Sequence, residues 1–380
     1  MVKLFFILFS LVFSMPVFSQ NLSTADPLAT RKTQNLYKNL LKNLPEGILF
    51  GHQDDLAYGM GWEYVPGKSS TRDAVGEYPA MYGWELGNLE LGDMYNLDSV
   101  PFNKMKEFIK EGYKRGGIIT ISWHANHPLT GKNAWDITGG AVTAIVPGGS
   151  RHELFKLWLD RVADFILDLK DEKGEPIPVI FRPYHEFTGN WFWWCQNVCS
   201  PDEFKALWRF TVDHLSKGRN VHNILYAYNP EKFESREEYL QRYPGNEYVD
   251  IMSFDMYQYG DPANSDQFET TLSHRLDILT TLAKERNKIP ALAETGYLNT
   301  PYPQWFTGKL MKGIGSHQIS YMLLWRDGGL VGGTGQFKYA LSQDHFIPIG
   351  SDAASWDFQK MYRSGKLLFE KKAAALKFYE

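Results

Sequence analysis

Two glutamates carry the strongest chemical signal in the chain. Glu186 closes the segment Phe181-Arg-Pro-Tyr-His-Glu, and Glu294 lies in Ala291-Leu-Ala-Glu-Thr-Gly. Each follows a short apolar run and stands outside any surface charge pattern. Hydrolysis of a glycosidic bond needs such a pair. One carboxyl stays neutral to protonate the leaving oxygen; the other is ionised, to attack or to activate water. The blander reading is that each glutamate pairs with an arginine at a barrel rim. Two such residues at separate strand ends, flanked by aromatics, make it the weaker one. Arg182 shares the parity of Glu186 one layer deeper, and a buried arginine needs carboxylate partners, Glu294 among the candidates. A barrel-filling ion pair without a role in chemistry fits Arg182 equally well. His185 adjoins Glu186 and suits a substrate hydroxyl. Trp191, Phe192, Trp193 and Trp194 follow on the loop. Rings in that number suit stacking on sugars, with Trp191 the member expected in the cleft.

These side chains need elements to hold them together. Eight apolar runs end in polar or aromatic residues: 48–53, 80–85, 118–124, 179–186, 224–229, 251–257, 291–295 and 321–326. Helical patterns occupy 104–115, 152–169, 201–216, 268–286 and 303–314, with a last one at 354–376 broken at Gly365. Asp202 and Glu203 suit the first turn of their helix, where the dipole favours negative charge. Strand–helix alternation implies parallel strands. Eight of them imply an α/β fold closed as a single (β/α)8 TIM barrel. The first unit is the weakest, since 54–79 reads as loop with only a short helix near 71–75. No Gly-rich phosphate fingerprint follows the first run, which disfavours a dinucleotide fold.

In a barrel the site is built where the strands end. That groups His52, Glu85, His124, Glu186, Asn229, Asp255, Tyr257, Glu294, Trp325 and Arg326. Alternation along each strand puts Thr120, Ser122 and His124 on one face. Arg182, Tyr184 and Glu186 share a face, as do Ser253, Asp255 and Tyr257. These polar sets are expected to face the barrel mouth, with Ile119, Ile121, Phe181 and Phe254 under the helices.

With 43% hydrophobic and 22% charged residues the chain can bury a core, so an unfolded polymer is excluded. A net charge of −4 argues against a nucleic-acid partner. Aromatic residues at 15% exceed what a core requires and suit a sugar-binding cleft. Lys3, the apolar stretch from Leu4 to Val12, Pro16 and the small Ser19 read as a cleavable secretory signal over 1–19. That stretch is shorter than the ~20 residues of a spanning helix, so no membrane insertion is expected. Residues 20–380 then form one catalytic domain, exported to the periplasm or the extracellular space and acting as a monomer. Cys195 and Cys199 suit a local disulfide or two free thiols equally, and neither carries chemistry.

The run from Phe181 to Trp194, Phe-Arg-Pro-Tyr-His-Glu-Phe-Thr-Gly-Asn-Trp-Phe-Trp-Trp, closely resembles the acid/base motif of glycoside hydrolase family 26. Ser253-Phe-Asp-Met-Tyr257, Ala293-Glu-Thr-Gly296 and Trp325-Arg326 resemble that family's motifs on strands six, seven and eight. Ser122-Trp-His124 fits strand three, and the ordered matches run from Gly51 to Arg326. The resemblance implies a (β/α)8 barrel and net retention of configuration. It also implies endo-β-1,4-mannanase activity on β-mannan, galactomannan or manno-oligosaccharides, with no cofactor. Carried over by position, Glu186 is the general acid/base and Glu294 the nucleophile. His124, His185, Trp191, Asp255, Tyr257, Trp325 and Arg326 line the sugar subsite nearest the bond, and Tyr257 orients Glu294. The loop 126–150, with Trp135, lies outside these motifs. It is expected to wall off one end of the cleft and favour short products such as mannobiose.

Other readings stay open at this level. Related barrels cleave β-glucans or xylans. A metal-dependent barrel hydrolase would draw ligands from His52, Asp54, His124, His127 and His185, but no compact ligand motif is present. A carbohydrate-binding protein without activity would have no need of an acid–nucleophile pair.

Overall fold

Short runs of aliphatic and aromatic residues, buried on both faces, form eight parallel strands. They are β1 Ile48–Gln53, β2 Met81–Glu85, β3 Ile118–Trp123, β4 Val179–Pro183, β5 Ile224–Tyr228, β6 Ile251–Gln258, β7 Ile289–Tyr297 and β8 Tyr321–Leu324. The structure is a computed structural model that describes residues 23–328 and 344–380. Each strand pairs with the next, and β8 pairs with β1, which closes the (β/α)8 barrel. The leader read at 1–19 lies outside the described residues.

The period-two alternation divides the core into two layers. Leu49, Met81, Ile118, Ile180, Leu225, Ile251, Ile289 and Leu323 fill the barrel. Phe50, Ile119, Ile121, Phe181 and Phe254 point outward and pack among Ile109, Leu159, Leu207 and Leu276 of the helices. The helices include α1 Arg31–Lys42, α2 Ser70–Val75, α3 Phe102–Lys114, α4 His152–Leu167, α5 Pro201–Asp213, α6 Gln267–Arg286 and α7 Ser355–Arg363. A capping box starts α5: the Ser200 hydroxyl accepts from the Glu203 amide, and the Glu203 carboxylate accepts from the Ser200 amide at 2.8 Å. Its sequence pattern continues into a π-turn, His214–Gly218. The first unit has only the short α2 and a two-residue hairpin, Tyr58–Gly59 with Trp62–Glu63. The last helical pattern breaks at Gly365, whose φ is 74°.

Strand–helix alternation gives no reason to expect α1. Its Leu36, Tyr37 and Leu40 join the interior cluster and seal the N-terminal end of the barrel. The Thr30 hydroxyl caps it by accepting from the Thr33 amide at 3.3 Å.

One expectation is corrected here. β4 stops at Pro183 instead of running on to Glu186. Tyr184 and Glu186 take left-handed conformations, with φ of 52° and 55°. Alternation therefore ends before them. Tyr184 turns outward, and its hydroxyl lies 2.9 Å from that of Thr211 on α5.

Because α1 seals the end of the barrel away from the strand-end residues, truncating it should cost stability and little else. Leu40→Ala, at a position 1% exposed, is expected to lower unfolding free energy by about 2–4 kcal/mol. Urea denaturation measures this, and the kinetics of the folded protein should stay within about two-fold of the parent.

Candidate active site

The C-terminal ends of β4, β6 and β7 bring three carboxylates together. One oxygen each from Glu186, Asp255 and Glu294 lie within 4.8 Å of one another. Arg182, on the inward face of β4 and 3% exposed, sits between two of them. Its guanidinium donates to Asp255 Oδ2 at 3.0 Å and to Glu294 Oε1. The Tyr257 hydroxyl donates to the other Glu294 oxygen at 2.7 Å. Glu294 thus has a hydrogen bond on each oxygen, one of them charge-assisted. Burial and the neighbouring Glu294 push the Asp255 carboxyl well above the usual range, against the pull of Arg182.

Glu186 stands on the turn after β4. Its amide donates to the Asn229 carbonyl at 2.8 Å, and its own carbonyl accepts from Gly189 at 2.8 Å. These bonds hold a left-handed backbone that costs of the order of 1 kcal/mol or more. Burial, then the charge of Glu294, raise the Glu186 carboxyl to about 8, partly offset by the Trp191 indole, which donates to Oε2 at 2.7 Å. Glu186 is therefore protonated near neutrality, as a general acid must be.

The four consecutive rings separate by role. Trp191 is half-buried beside Glu186, with the Lys232 ammonium 5.5 Å from its ring centre. Phe192 wedges edge-on against His124 and tilts against His185. Trp193 and Trp194 are wholly buried and pin the site from behind. Their indole N–H groups donate to the carbonyls of Ala125 and His185 at 2.9 and 2.8 Å. Cys195 and Cys199 are both buried and unbonded to each other. The Cys195 thiol lies 3.4 Å from the Glu186 carbonyl oxygen.

On the opposite wall, His124 Nδ1 meets Glu85 Oε2 at 2.9 Å, and its Nε2 lies 3.1 Å from His185 Nε2. Trp325, half-buried after β8, presents its edge to the His124 ring at 6.4 Å. Arg326 Nε pairs with Asp98 at 2.7 Å. A cavity of about 700 Å³ continues from there, lined by Asn96, Asp98, Asn133, Trp135 and Arg326. The half-exposed Trp135 stacks on His124 at 5.2 Å, so the loop 126–150 does border the cleft.

The ten site residues singled out from sequence thus gather around one cavity mouth. Glu85 and Asn229 stand with them among the strand-end residues read from sequence, though without an assigned role, and one further partner escapes that signal. Asp98 sits in a loop with no periodic pattern. The five residues considered as metal ligands do not converge. His52 is 2.8 Å from Asp55, Asp54 accepts from Tyr58, His127 meets the Thr138 carbonyl, and His124 with His185 belongs to Glu85.

The Trp191 bond generates a test that needs no substrate. Carbon-13 titration of Glu186 should show a midpoint near 8. The indole N–H stabilises the carboxylate, so Trp191→Phe should move that midpoint upward, by about half a unit or more. A downward move would show that the indole does not act on Glu186 in this way.

Residues 25–311 match the profile of Glycosyl hydrolase family 26. A mannan endo-1,4-beta-mannosidase of Bifidobacterium adolescentis is 31% identical over 373 residues, covering 93% of this chain and 36% of its own length. A solved GH26 beta-mannanase from Bacteroides ovatus is 40% identical, with a TM-score of 0.85 over 92% of this chain and 98% of that one. A modular endo-beta-1,4-mannanase from Cellulomonas fimi aligns with a TM-score of 0.81 at 30% identity, over 92% of this chain and 78% of that one. The chain spans about a third of the Bifidobacterium relative, but nearly all of the Bacteroides structure. On profile, identity and barrel geometry together, the chain belongs to glycosyl hydrolase family 26 and is a glycoside hydrolase.

Proposed function

We propose that the protein is an exported endo-β-1,4-mannanase that acts with retention of configuration, Glu186 serving as acid/base and Glu294 as nucleophile. The observation that carries this reading is the approach of the two carboxylates to within 4.8 Å. Retaining glycosidases hold their carboxyl groups about 5–5.5 Å apart, whereas inverting ones leave about 6.5–9.5 Å for a water. Glu186 protonates the departing oxygen while Glu294 attacks the anomeric carbon. Glu186 then takes a proton from the water that releases the glycosyl-enzyme. Arg182 and Tyr257 aim the attacking carboxylate by donating one hydrogen bond to each of its oxygens. Trp191, Trp325, His124, His185, Asp255 and Arg326 surround the space for the sugar. Mannan as substrate is supported by the activities named for the relatives, and export by the leader read at 1–19. No helix among the described residues is long and apolar enough to cross a membrane.

The two glutamates should separate by leaving group. Glu186→Ala should lose about 10³-fold or more in kcat/KM on manno-oligosaccharides yet retain most of its rate on a dinitrophenyl mannoside, whose leaving group needs no proton. Azide should enter the vacated space and yield a β-glycosyl azide. Glu294→Ala should lose both activities. Proton NMR of the first products should show the β-anomer. An α-anomer, or a Glu294→Ala variant still releasing dinitrophenol at near the parent rate, would overturn the mechanism.

The loop carrying Trp135 leads to a separate expectation for product length. Early digests of galactomannan should be dominated by disaccharide, read by chromatography, and shortening the loop should broaden the mixture. Reducing-sugar release from β-glucan or xylan in preference to mannan would redirect the substrate assignment.

A further inference from the structure

Glu85 is wholly buried at the end of β2 and touches neither catalytic glutamate. It nevertheless has an unusually full set of donors. Its Oε1 accepts from the amides of Gly87 and His124 at 2.6 and 2.7 Å. Its Oε2 accepts from the Ser122 hydroxyl and faces His124 Nδ1 at 2.9 Å. A carboxylate so placed requires a proton on His124 Nδ1.

The next contact holds the information. Two Nε2 atoms, of His124 and His185, lie 3.1 Å apart, and one proton must lie between them. If it belongs to His124, that ring is an imidazolium and His185 carries its own proton on Nδ1. If it belongs to His185, then His124 is neutral and His185 Nδ1 is a bare lone pair. His185 is 1% exposed, and its Nδ1 is buried with no partner among the described residues. Whichever form is chosen, that atom awaits a group from a ligand.

The surrounding charges choose between the forms. His124 is faced by Glu85 from β2, by Asp98 from the segment after it and by Glu294 from β7, with Glu186 also within electrostatic reach. His185 is faced by the cations Arg182 and His124. Burial works against the His124 charge, but Glu85, with Glu294 and Asp98 adding to it, holds the ring above its ordinary value. Burial, Arg182 and His124 together hold His185 well below its own. The positive charge therefore rests on His124, and His185 is left neutral.

We propose that Glu85 is a positioning residue: by pairing with His124 it fixes the proton between the two histidines, so that His185 meets the substrate as an Nδ1–H donor to a sugar oxygen. This rests on the glycosidase reading above. It explains why a histidine, and not a residue with a fixed donor, can occupy the position next to the acid. Glu85 acts through two rings, and only His185 touches the sugar.

Nitrogen-15 spectra of the imidazoles in the intact protein test the proton arrangement without substrate. They should show His124 as imidazolium at about pH 7 and His185 as the Nδ1–H tautomer. Glu85→Gln, which keeps the shape and removes the charge, should let His124 lose its proton on going from about pH 5 to about pH 7. Over that range the ratio of variant to wild-type kcat/KM on manno-oligosaccharide should fall about ten-fold, with Glu85→Asp restoring most of it. A ratio independent of pH, or an Nε2–H tautomer at His185 in the wild type, overturns the proposal. If Glu85→Gln fails to fold, the wild-type spectra decide alone. A wild-type protein that cleaves no glycan, yet shows the expected spectra, would overturn the glycosidase reading and leave the proton arrangement standing.

Discussion

Arg182 lies fully inside the barrel mouth with one nitrogen on Asp255 and another on Glu294. Two carboxylates this close and this dry repel each other, and only a cation between them holds them in contact. The guanidinium supplies it in a planar fork that a lysine could not reproduce. From there the constraint spreads. Asp255 also accepts from the Asn229 side chain at 2.6 Å, and the Ser253 hydroxyl donates to Asn229 Oδ1 at 2.6 Å. The Asn229 carbonyl in turn holds the amide of Glu186. The ion pairs of Arg182 on β4 thus fix Glu294 directly and Glu186 through its backbone.

The same residue type then serves two opposite purposes. Glu294 is 3% exposed but has donors on both oxygens, one of them cationic. Glu186 sits at the lip of the site with a single neutral indole donor and the charge of Glu294 nearby. Their chemistry differs because their neighbours differ, and each environment depends on the other carboxylate being where it is.

Much of this was legible in the sequence, for a physical reason. A barrel strand is short and strictly alternating, so β1, β3 and β6 could be placed almost to the residue from their apolar runs, and the polar residues that end them mark the mouth. Legibility failed where alternation failed. The turn after β4 uses left-handed backbone at Tyr184 and Glu186, which no side-chain periodicity reports, so Tyr184 was read as facing the mouth when it packs outward. The Leu36, Tyr37 and Leu40 stripe of α1 was present but meaningless until the open end of the barrel gave it something to cover. Asp98, the partner of Arg326, comes from a loop, and only the folded chain brings the two together.

The two cysteines bear on what holds the turn after β4. Burial pushes both thiols up to about 12. At neutral pH roughly one in 10⁵ is a thiolate, the form that attacks disulfides and is readily oxidised. The Cys195 S–H is moreover directed at the carbonyl of the acid glutamate, a contact that a covalent bond to Cys199 would remove. The reduced pair is thus the form that suits the site. The turn that carries Glu186 is held by hydrogen bonds and packed rings, with no covalent cross-link between the two cysteines that follow it.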